Sequence, residues 1–158
     1  MSKRIQVTPA TNFLDKLGIT YAKHAYDYQR KGSDVAAEGL GVQLHDVIKT
    51  LIMQRDSGEP MIVLQHGDKE VSLKDLARQI GAKYVESCEA KDAQRHTGYL
   101  VGGISPFGTR RQMPVYAEET ILNLPKFYIN GGQRGFILEM TPAELMRALK
   151  VTPIKVAR

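Results

Sequence analysis

The chain has 158 residues, 42% of them hydrophobic and 25% charged, which predicts one globular domain over residues 1–158 with a core of its own. No stretch approaches the run of about 20 apolar residues that spans a bilayer, and the amino-terminal ten residues contain no apolar signal core, so we expect a cytoplasmic protein without a membrane partner. The net charge of +5 suits a polyanionic partner, but this charge is modest when it is spread over a whole surface.

A helix, a strand and a second helix are predicted first along the chain. Thr8 and Pro9 are typical of an N-cap and a first helical residue, apolar residues follow at helical spacing, and Gly18 ends the helix. Residues 19–28 carry three tyrosines and a histidine among β-type residues, which predicts a strand that runs into a polar loop. The tyrosine rings suit either stacking on a base or packing into the core. A short helix is expected over residues 33–40.

A β-hairpin is predicted next. Residues 47–54 form a nearly continuous apolar run, the turn sequence DSGEP follows, and residues 61–66 return as a second strand. Lys49 interrupts the apolar run, and a buried ammonium is costly unless it has an anionic partner or faces a wet cleft. The alternative is an ordinary outward-facing lysine whose stem packs on its neighbours, and the pattern alone leaves both open.

Two helices with a short strand between them precede a glycine-rich segment. Ser72 begins the first helix with Asp75 in a capping-box arrangement, and Gly81 ends it. A strand is expected at residues 83–87 and a polar helix at residues 89–96.

The glycine-rich segment, TGYLVGGISPFG at residues 97–108, predicts a short apolar strand that feeds a rigid loop. Gly102 and Gly103 lack Cβ and let a ligand approach the backbone, while Pro106 fixes its own φ and biases Ser105 towards extended geometry. Such a loop can point bare N–H groups at an oxygen, as an acyl-transfer or nucleotide site requires. A tight turn without a ligand is the alternative.

The carboxy-terminal part predicts a second hairpin and a last helix. Residues 126–129 and the segment FILEM are strand-like, and Asn130 with Gly131 between them suits a type I′ turn. Thr141 then begins a helix by the same cap and proline pattern as the first one.

The order of these elements decides the fold class. A further strand is expected at residues 114–117, and the chain ends in a basic strand or tail. Several short strands mix with short helices without a regular βα alternation, so we predict an α+β fold with a mixed or antiparallel sheet and not a doubly wound one.

The motifs of several common enzyme classes are absent from the sequence. It contains no G-x-S-x-G elbow, no P-loop, no H-E-x-x-H and no metal-ligand spacing, so neither a metal nor a cofactor is expected. The single cysteine, Cys88, cannot form an internal disulfide and has no Cys/His cluster with which to bind zinc. His96 is the histidine best placed for acid–base work, although a structural histidine is the more frequent outcome. The residues alone leave the enzyme class open.

Four motifs together resemble the YbaK-type Cys-tRNA(Pro) deacylases of the prolyl-tRNA editing family: KTL at 49–51, GAKYVE at 81–86, TGYLVGGISPFG at 97–108 and NGGQRG at 130–135. The similarity runs from residue 8 to the end, and GGISP after TGYLV is its most specific part. It implies a mixed, strongly curved, partly barrel-like sheet flanked by short helices, in agreement with the α+β prediction. It also implies removal of a wrongly attached amino acid, above all cysteine, from tRNA(Pro), as a carbon–oxygen lyase or ester hydrolase, with prolyl-tRNA synthetase as a candidate partner.

The resemblance also assigns roles to single residues. Lys49 matches the family's essential lysine, expected to hold the terminal nucleotide of the tRNA by its phosphate or sugar. Residues 102–106 match the G-x-x-x-P loop, whose backbone would surround the aminoacyl ester. The substrate's own thiol would attack the ester, and the amino acid would leave as a cyclic thioester. The protein would then need only to position the ester and polarise its carbonyl group. The implied catalytic residues are Lys49, Gly102, Gly103 and Ile104, and the implied substrate-binding residues are Tyr26, Ser105, Pro106, Asn130 and Gly131.

Three departures from the family pattern affect the expected substrate. Asn130 stands where serine is expected, Ile137 where an aspartate is often found, and the connection after Tyr28 is shorter and lacks a phenylalanine. A pocket altered in this way suits another small amino acid, alanine or serine, for which a bound water would have to attack. The remaining alternatives are a non-catalytic homologue that binds tRNA or a synthetase, and a transacylase or hydrolase of another nucleotide ester.

Overall fold

Five short α-helices and eight strands follow one another along residues 6–158, the part of the chain that this computed structural model describes. The helices are α1 (Pro9–Lys16), α2 (Ser33–Leu40), α3 (Leu73–Ile80), α4 (Ala90–Thr97) and α5 (Pro142–Ala148). The strands are β1 (Ala22–Ala25), β2 (Val47–Arg55), β3 (Pro60–His66), β4 (Val85–Ser87), β5 (Val115–Glu118), β6 (Phe127–Gln133), β7 (Phe136–Met140) and β8 (Val151–Ile154). All five predicted helices are present, and only β1 is much shorter than its predicted range of 19–28.

The strands form one mixed sheet in the order β1-β7-β6-β2-β3-β5-β8, with β4 also paired to β2. The β2/β6, β3/β5 and β5/β8 pairs are parallel, and the remaining pairs are antiparallel. The α+β class with a mixed sheet and flanking short helices is therefore confirmed.

Helices cover both faces of this sheet. Along β2, Ile48 and Ile52 point into the main core with α1, α4 and α5, while Met53 packs with α3 on the opposite face. A third cluster places α2 against the start of β2, β6 and β7. The buried face of α1 is fixed at its start by a capping box, in which the Thr8 hydroxyl accepts the Thr11 N–H at 3.2 Å.

The predicted strand at the start of the glycine-rich segment is wrong. Helix α4 continues to Thr97, Gly98 ends it at φ 81°, and the chain is irregular from there to β5. Two backbone N–H groups that a strand would use for pairing are instead bonded to side chains of α4. Thr97 Oγ1 accepts the Tyr99 N–H at 3.1 Å, and Gln94 Oε1 accepts the Val101 N–H at 2.9 Å.

The predicted type I′ turn at Asn130 and Gly131 is also wrong. Both residues lie within β6, where Asn130 pairs with Ile137, and the hairpin turns at residues 134–135. Asn130 Oδ1 accepts the N–H groups of the two residues after Gly131, at 2.7 and 3.2 Å, so the motif forms an irregularity inside the strand pair.

None of the helices within residues 6–158 has the length and apolar character that crossing a membrane requires. The expectation that the amino terminus lacks an apolar signal core concerns a segment of which residues 1–5 lie outside the described part.

Candidate functional site

The candidate site begins at a gap in the pairing of β2. On one edge of this strand, residues 47–48 pair with β6 and residues 53–55 pair with β4, so within the described chain the intervening residues 49–52 have no neighbouring strand there. The other edge is paired with β3 throughout residues 48–54. A gap of this kind exposes backbone donors and acceptors in the middle of a sheet without creating a free outer edge.

A cleft of about 410 Å³ lies at this gap. Its lining comes from β2, the glycine loop, the β6–β7 pair and the segment around the start of α2. Five residues expected from the sequence to form the site meet here: Tyr26, Lys49, Gly102, Ile104 and Asn130. Ile137, the position that departs from the family pattern, lines the same cleft and is the cross-strand partner of Asn130.

Lys49 is one of the residues that line the cleft, and its ammonium group already has hydrogen-bond partners. Its Nζ donates to the backbone carbonyl of Lys69 and to Glu70 Oε2 at 3.3 Å, and its side chain is only 19% exposed. The Glu70 side chain is 78% exposed, so this ion pair is screened by solvent and weak. Of the two alternatives for Lys49, the lysine with an anionic partner is the one found.

The glycine loop brings free amides to the opposite wall. Gly102 has φ 93°, and a Cβ at this position would meet the Tyr28 hydroxyl and lie 3.3 Å from Arg134 Nε. The N–H of Gly103 donates to the Leu100 carbonyl at 2.8 Å. The N–H groups of Gly102 and Ile104, in contrast, have no acceptor among residues 6–158. Both residues line the cleft, so these two amides, and not that of Gly103, are the unpaired candidates to bind an oxygen there.

The β6–β7 hairpin holds the loop in place. Asn130 Nδ2 donates to the Gly102 carbonyl at 3.2 Å, and Arg134 Nε donates to the Val101 carbonyl at 2.9 Å. The Arg134 guanidinium also lies 5.5 Å from the centre of the Tyr28 ring. Arg134 was not predicted as a site residue, although it belongs to the quoted NGGQRG motif.

We expect Asn130→Ala to lower the free energy of unfolding by about 1–3 kcal/mol, because the substitution frees the Gly102 carbonyl and two amides of β6. Urea unfolding measures this change. Asn12→Ala, at an exposed position of α1, is the control and should change stability by less than about 0.5 kcal/mol. Equal stabilities of the two variants would contradict the bracing role.

Four expected site residues are absent from the cleft lining: Gly103, whose amide is bonded within the loop, Ser105, Pro106 and Gly131. Ser105 is fully buried, and its Oγ accepts the Phe107 N–H at 3.2 Å. Pro106 lines a separate groove of about 710 Å³, beside Phe13 and β5. Gly131 is buried in β6, where a Cβ would lie 2.6 Å from the Phe136 ring. Their positions shape the loop and the strand pair that carry the cleft residues.

Among residues 6–158, no carboxylate, histidine or cysteine lines the cleft. His96 is buried outside it, where burial and the neighbouring arginines 95 and 111 lower its pKa. Cys88 also lies outside, and burial raises the pKa of its thiol. The titratable side chains that do line the cleft are Tyr26, whose pKa burial raises, and the lysines 31 and 49. The groups that most often act as a general base, a histidine or a carboxylate, are therefore not found in the described lining.

One cluster outside the cleft has the composition of a metal site. Ligand atoms of His45, His66 and Asp68 all lie within 4.8 Å of one another. The two imidazoles, however, are stacked at 3.8 Å and 7°, so their nitrogen lone pairs run parallel and do not converge. Both ring nitrogens of His66 are bonded, Nδ1 to the His45 carbonyl at 2.8 Å and Nε2 to the Thr120 hydroxyl at 2.7 Å. The cluster is therefore a hydrogen-bonded support beneath the start of β2.

Comparison with known proteins identifies the family of this chain. A sequence model of the aminoacyl-tRNA editing domain matches residues 29–148. The chain belongs to the aminoacyl-tRNA editing domain family. The matched residues of this editing domain include Lys49, the glycine loop and Asn130, whereas Tyr26 precedes them.

Individual relatives agree with this assignment. The chain is 30% identical over 146 residues, 91% of its length and 89% of the relative's, to a protein of Enterococcus faecalis named "Putative Cys-tRNA(Pro)/Cys-tRNA(Cys) deacylase EbsC". It is 32% identical over 99 residues to the proline–tRNA ligase of Geobacter sp. strain M21, and this match covers 63% of the chain but 17% of the ligase. A crystal structure of the hypothetical protein APE2540 superposes with a TM-score of 0.88 at 25% identity, over 96% of this chain and all of that one. This editing domain is thus related to a segment of prolyl-tRNA synthetases.

Proposed function

We propose that the protein is a trans-editing aminoacyl-tRNA deacylase that removes a small mischarged amino acid, with cysteine on tRNA(Pro) as the first substrate. The observation that carries the proposal is the content of the cleft: a lysine with an exchangeable partner and two free amides, with no histidine, carboxylate or cysteine among its described lining residues. Such a site can bind and polarise an ester, but the attacking group must come from the substrate or from water.

In the proposed reaction, Lys49 exchanges Glu70 for the terminal phosphate or sugar of the tRNA. The amides of Gly102 and Ile104 donate to the ester carbonyl oxygen and stabilise the negative charge that develops on it. The cysteine thiol attacks its own carbonyl carbon, so a C–S bond forms and the C–O bond to the ribose breaks. The thiol proton ends on the released ribose hydroxyl, and the amino acid leaves as a cyclic thioester.

The cleft walls bear on which amino acid fits. Ile137, Val47 and Ala36 give an apolar surface beside the loop, and Ile137 is 3% exposed. An apolar wall of this kind accepts the thiol of cysteine or the methyl of alanine better than the hydroxyl of serine. Alanine is therefore the second candidate, with a bound water as the attacking group. The proposal places the reaction in the cytoplasm with the charged tRNA, and prolyl-tRNA synthetase is the proposed partner.

A panel of mischarged tRNAs tests this proposal. We expect the purified protein to release cysteine from Cys-tRNA(Pro) and to leave the S-methylcysteinyl form intact, because the methyl group removes the attacking thiol. Acid-gel analysis of the remaining charged tRNA measures release. Equal release of cysteine and S-methylcysteine would show that water attacks, release of alanine alone would move the substrate to the second candidate, and no release at enzyme excess would indicate a tRNA-binding homologue.

A further inference from the structure

Thr50 lies at the centre of the gap in β2. It lines the cleft between Lys49 and Leu51. Neither β6, which pairs as far as Ile48, nor β4, which begins to pair at Met53, reaches it. Thr50 therefore lines the cleft at the point where the strand pairing on this edge of β2 is interrupted.

The backbone N–H and C=O of Thr50 both face this gap. In a strand, the hydrogen-bonding groups of successive residues alternate between the two edges. The Ile52 carbonyl accepts the Cys88 N–H at 3.0 Å, so Ile52 faces the edge shared by β4 and β6. Ile62 is the β3 residue opposite Ile52, and its N–H points away from β2, since it donates to the Pro114 carbonyl at 2.9 Å. Thr50 is two residues from Ile52 and faces the same edge, where no strand pairs with it among the described residues.

The side chain of Thr50 is also without a partner. Its Oγ1 is the single buried side-chain nitrogen or oxygen within residues 6–158 that makes no hydrogen bond. An unpaired buried hydroxyl costs free energy, and such atoms are rare in folded proteins. The amide and carbonyl of Thr50 therefore face the gap, and its hydroxyl is buried beside them, so that three polar groups of one residue have no partner among the described residues.

We propose that Thr50 binds the aminoacyl group of the substrate through backbone hydrogen bonds, in the way that a residue of one β-strand pairs with the opposite residue of an antiparallel strand. This inference rests on the proposed function and adds the residue that recognises the amino-acid backbone. An aminoacyl ester carries an α-amino donor and a carbonyl acceptor on adjacent carbons, which is the arrangement that one residue presents to an antiparallel strand. The Thr50 carbonyl and hydroxyl accept from the α-amino group, and the Thr50 N–H donates to the ester carbonyl. Binding in this mode requires a free α-amino group and is independent of the side chain.

The test measures binding of 3′-deoxy-3′-(cysteinylamino)adenosine, a stable analogue of the charged tRNA end, and of its N-acetyl derivative. We expect acetylation to weaken binding to the wild type about 10- to 100-fold, the range for a hydrogen bond to a charged group. Thr50→Val, which keeps the branched shape, should weaken binding of the unmodified analogue by about tenfold, and Thr50→Ser should retain it. Because valine replaces an unpaired hydroxyl, the thermal midpoint of Thr50→Val should stay equal to that of the wild type or rise.

The outcomes separate this inference from the proposed function. If the wild type binds the analogue but neither acetylation nor Thr50→Val changes the affinity, the role of Thr50 is wrong while the cleft assignment stands. If the wild type does not bind the analogue, both are wrong. The acetylated probe acts on the wild-type protein, so it decides the matter even if the valine variant does not fold.

Discussion

Replacing Lys49 with alanine is expected to lower deacylation of the mischarged tRNA at least about 100-fold, because a charge-assisted contact to the nucleotide is lost and the acyl group is no longer held at the loop. The fold should survive. The ammonium pairs with the carbonyl of Lys69 and an exposed Glu70, and weak exposed pairs contribute little to stability. Single-turnover kinetics with Cys-tRNA(Pro) and a thermal melt measure the two effects.

Two matched variants control this experiment. Glu70→Gln removes the partner of Lys49 without touching the lysine, and it should keep the activity or raise it, since the ammonium no longer has to exchange a carboxylate. Lys126→Ala removes another lysine paired with a carboxylate, Glu139 at 3.3 Å, away from the cleft, and should leave the activity unchanged. Wild-type turnover by Lys49→Ala would remove this residue from the site.

Gly102→Val should abolish deacylation. The residue has φ 93°, which a β-branched side chain tolerates poorly, and its Cβ would displace Tyr28 and Arg134 from the loop. A valine here also stands at the cleft wall, where the ester has to approach the free amides. Measured activity should therefore fall below detection in the same single-turnover assay.

The control variant Gly58→Val distinguishes the effect of backbone strain on stability from a direct effect on the site. Gly58 has nearly the same dihedral angle, φ 89°, in the β2–β3 turn, and a Cβ there meets no atom within 4 Å. Both variants should lose stability, by about 1–3 kcal/mol from strain, but only Gly102→Val should lose activity. Normal kinetics of Gly102→Val, or an equal loss of activity in Gly58→Val, would remove the loop from the site.

Local sequence signals predicted most of the secondary structure. Thr8, Ser72 and Thr141 each accept a backbone N–H at the start of a helix in the structure, as their sequence context indicates. The DSGEP turn and the apolar runs on either side of it likewise predicted the β2–β3 hairpin. These features depend on residues within a few positions of one another, so the sequence carries them directly.

The features that define the cleft depend on distant contacts and could not be predicted in this way. The gap in β2 exists because β6 and β4 stop short of each other, and neither length follows from the composition of β2. Asn130 was predicted to form a turn because Asn-Gly favours one locally, but its side chain bonds to Gly102, 28 residues away. The residue pattern singled out Lys49 and the loop and the family resemblance gave them roles, but neither assigned a role to Thr50 or Arg134.

In the proposed mechanism, Lys49 holds the nucleotide in the cleft while the amides of Gly102 and Ile104 donate to the acyl oxygen. A crystal structure of the protein with 3′-deoxy-3′-(cysteinylamino)adenosine tests it most directly. We expect the adenosine within hydrogen-bonding distance of Lys49 Nζ, with Glu70 displaced, and the acyl oxygen within about 3.1 Å of a loop amide. An analogue seated in the groove beside Pro106 and Phe13, with the pair of Lys49 and Glu70 intact, would contradict it.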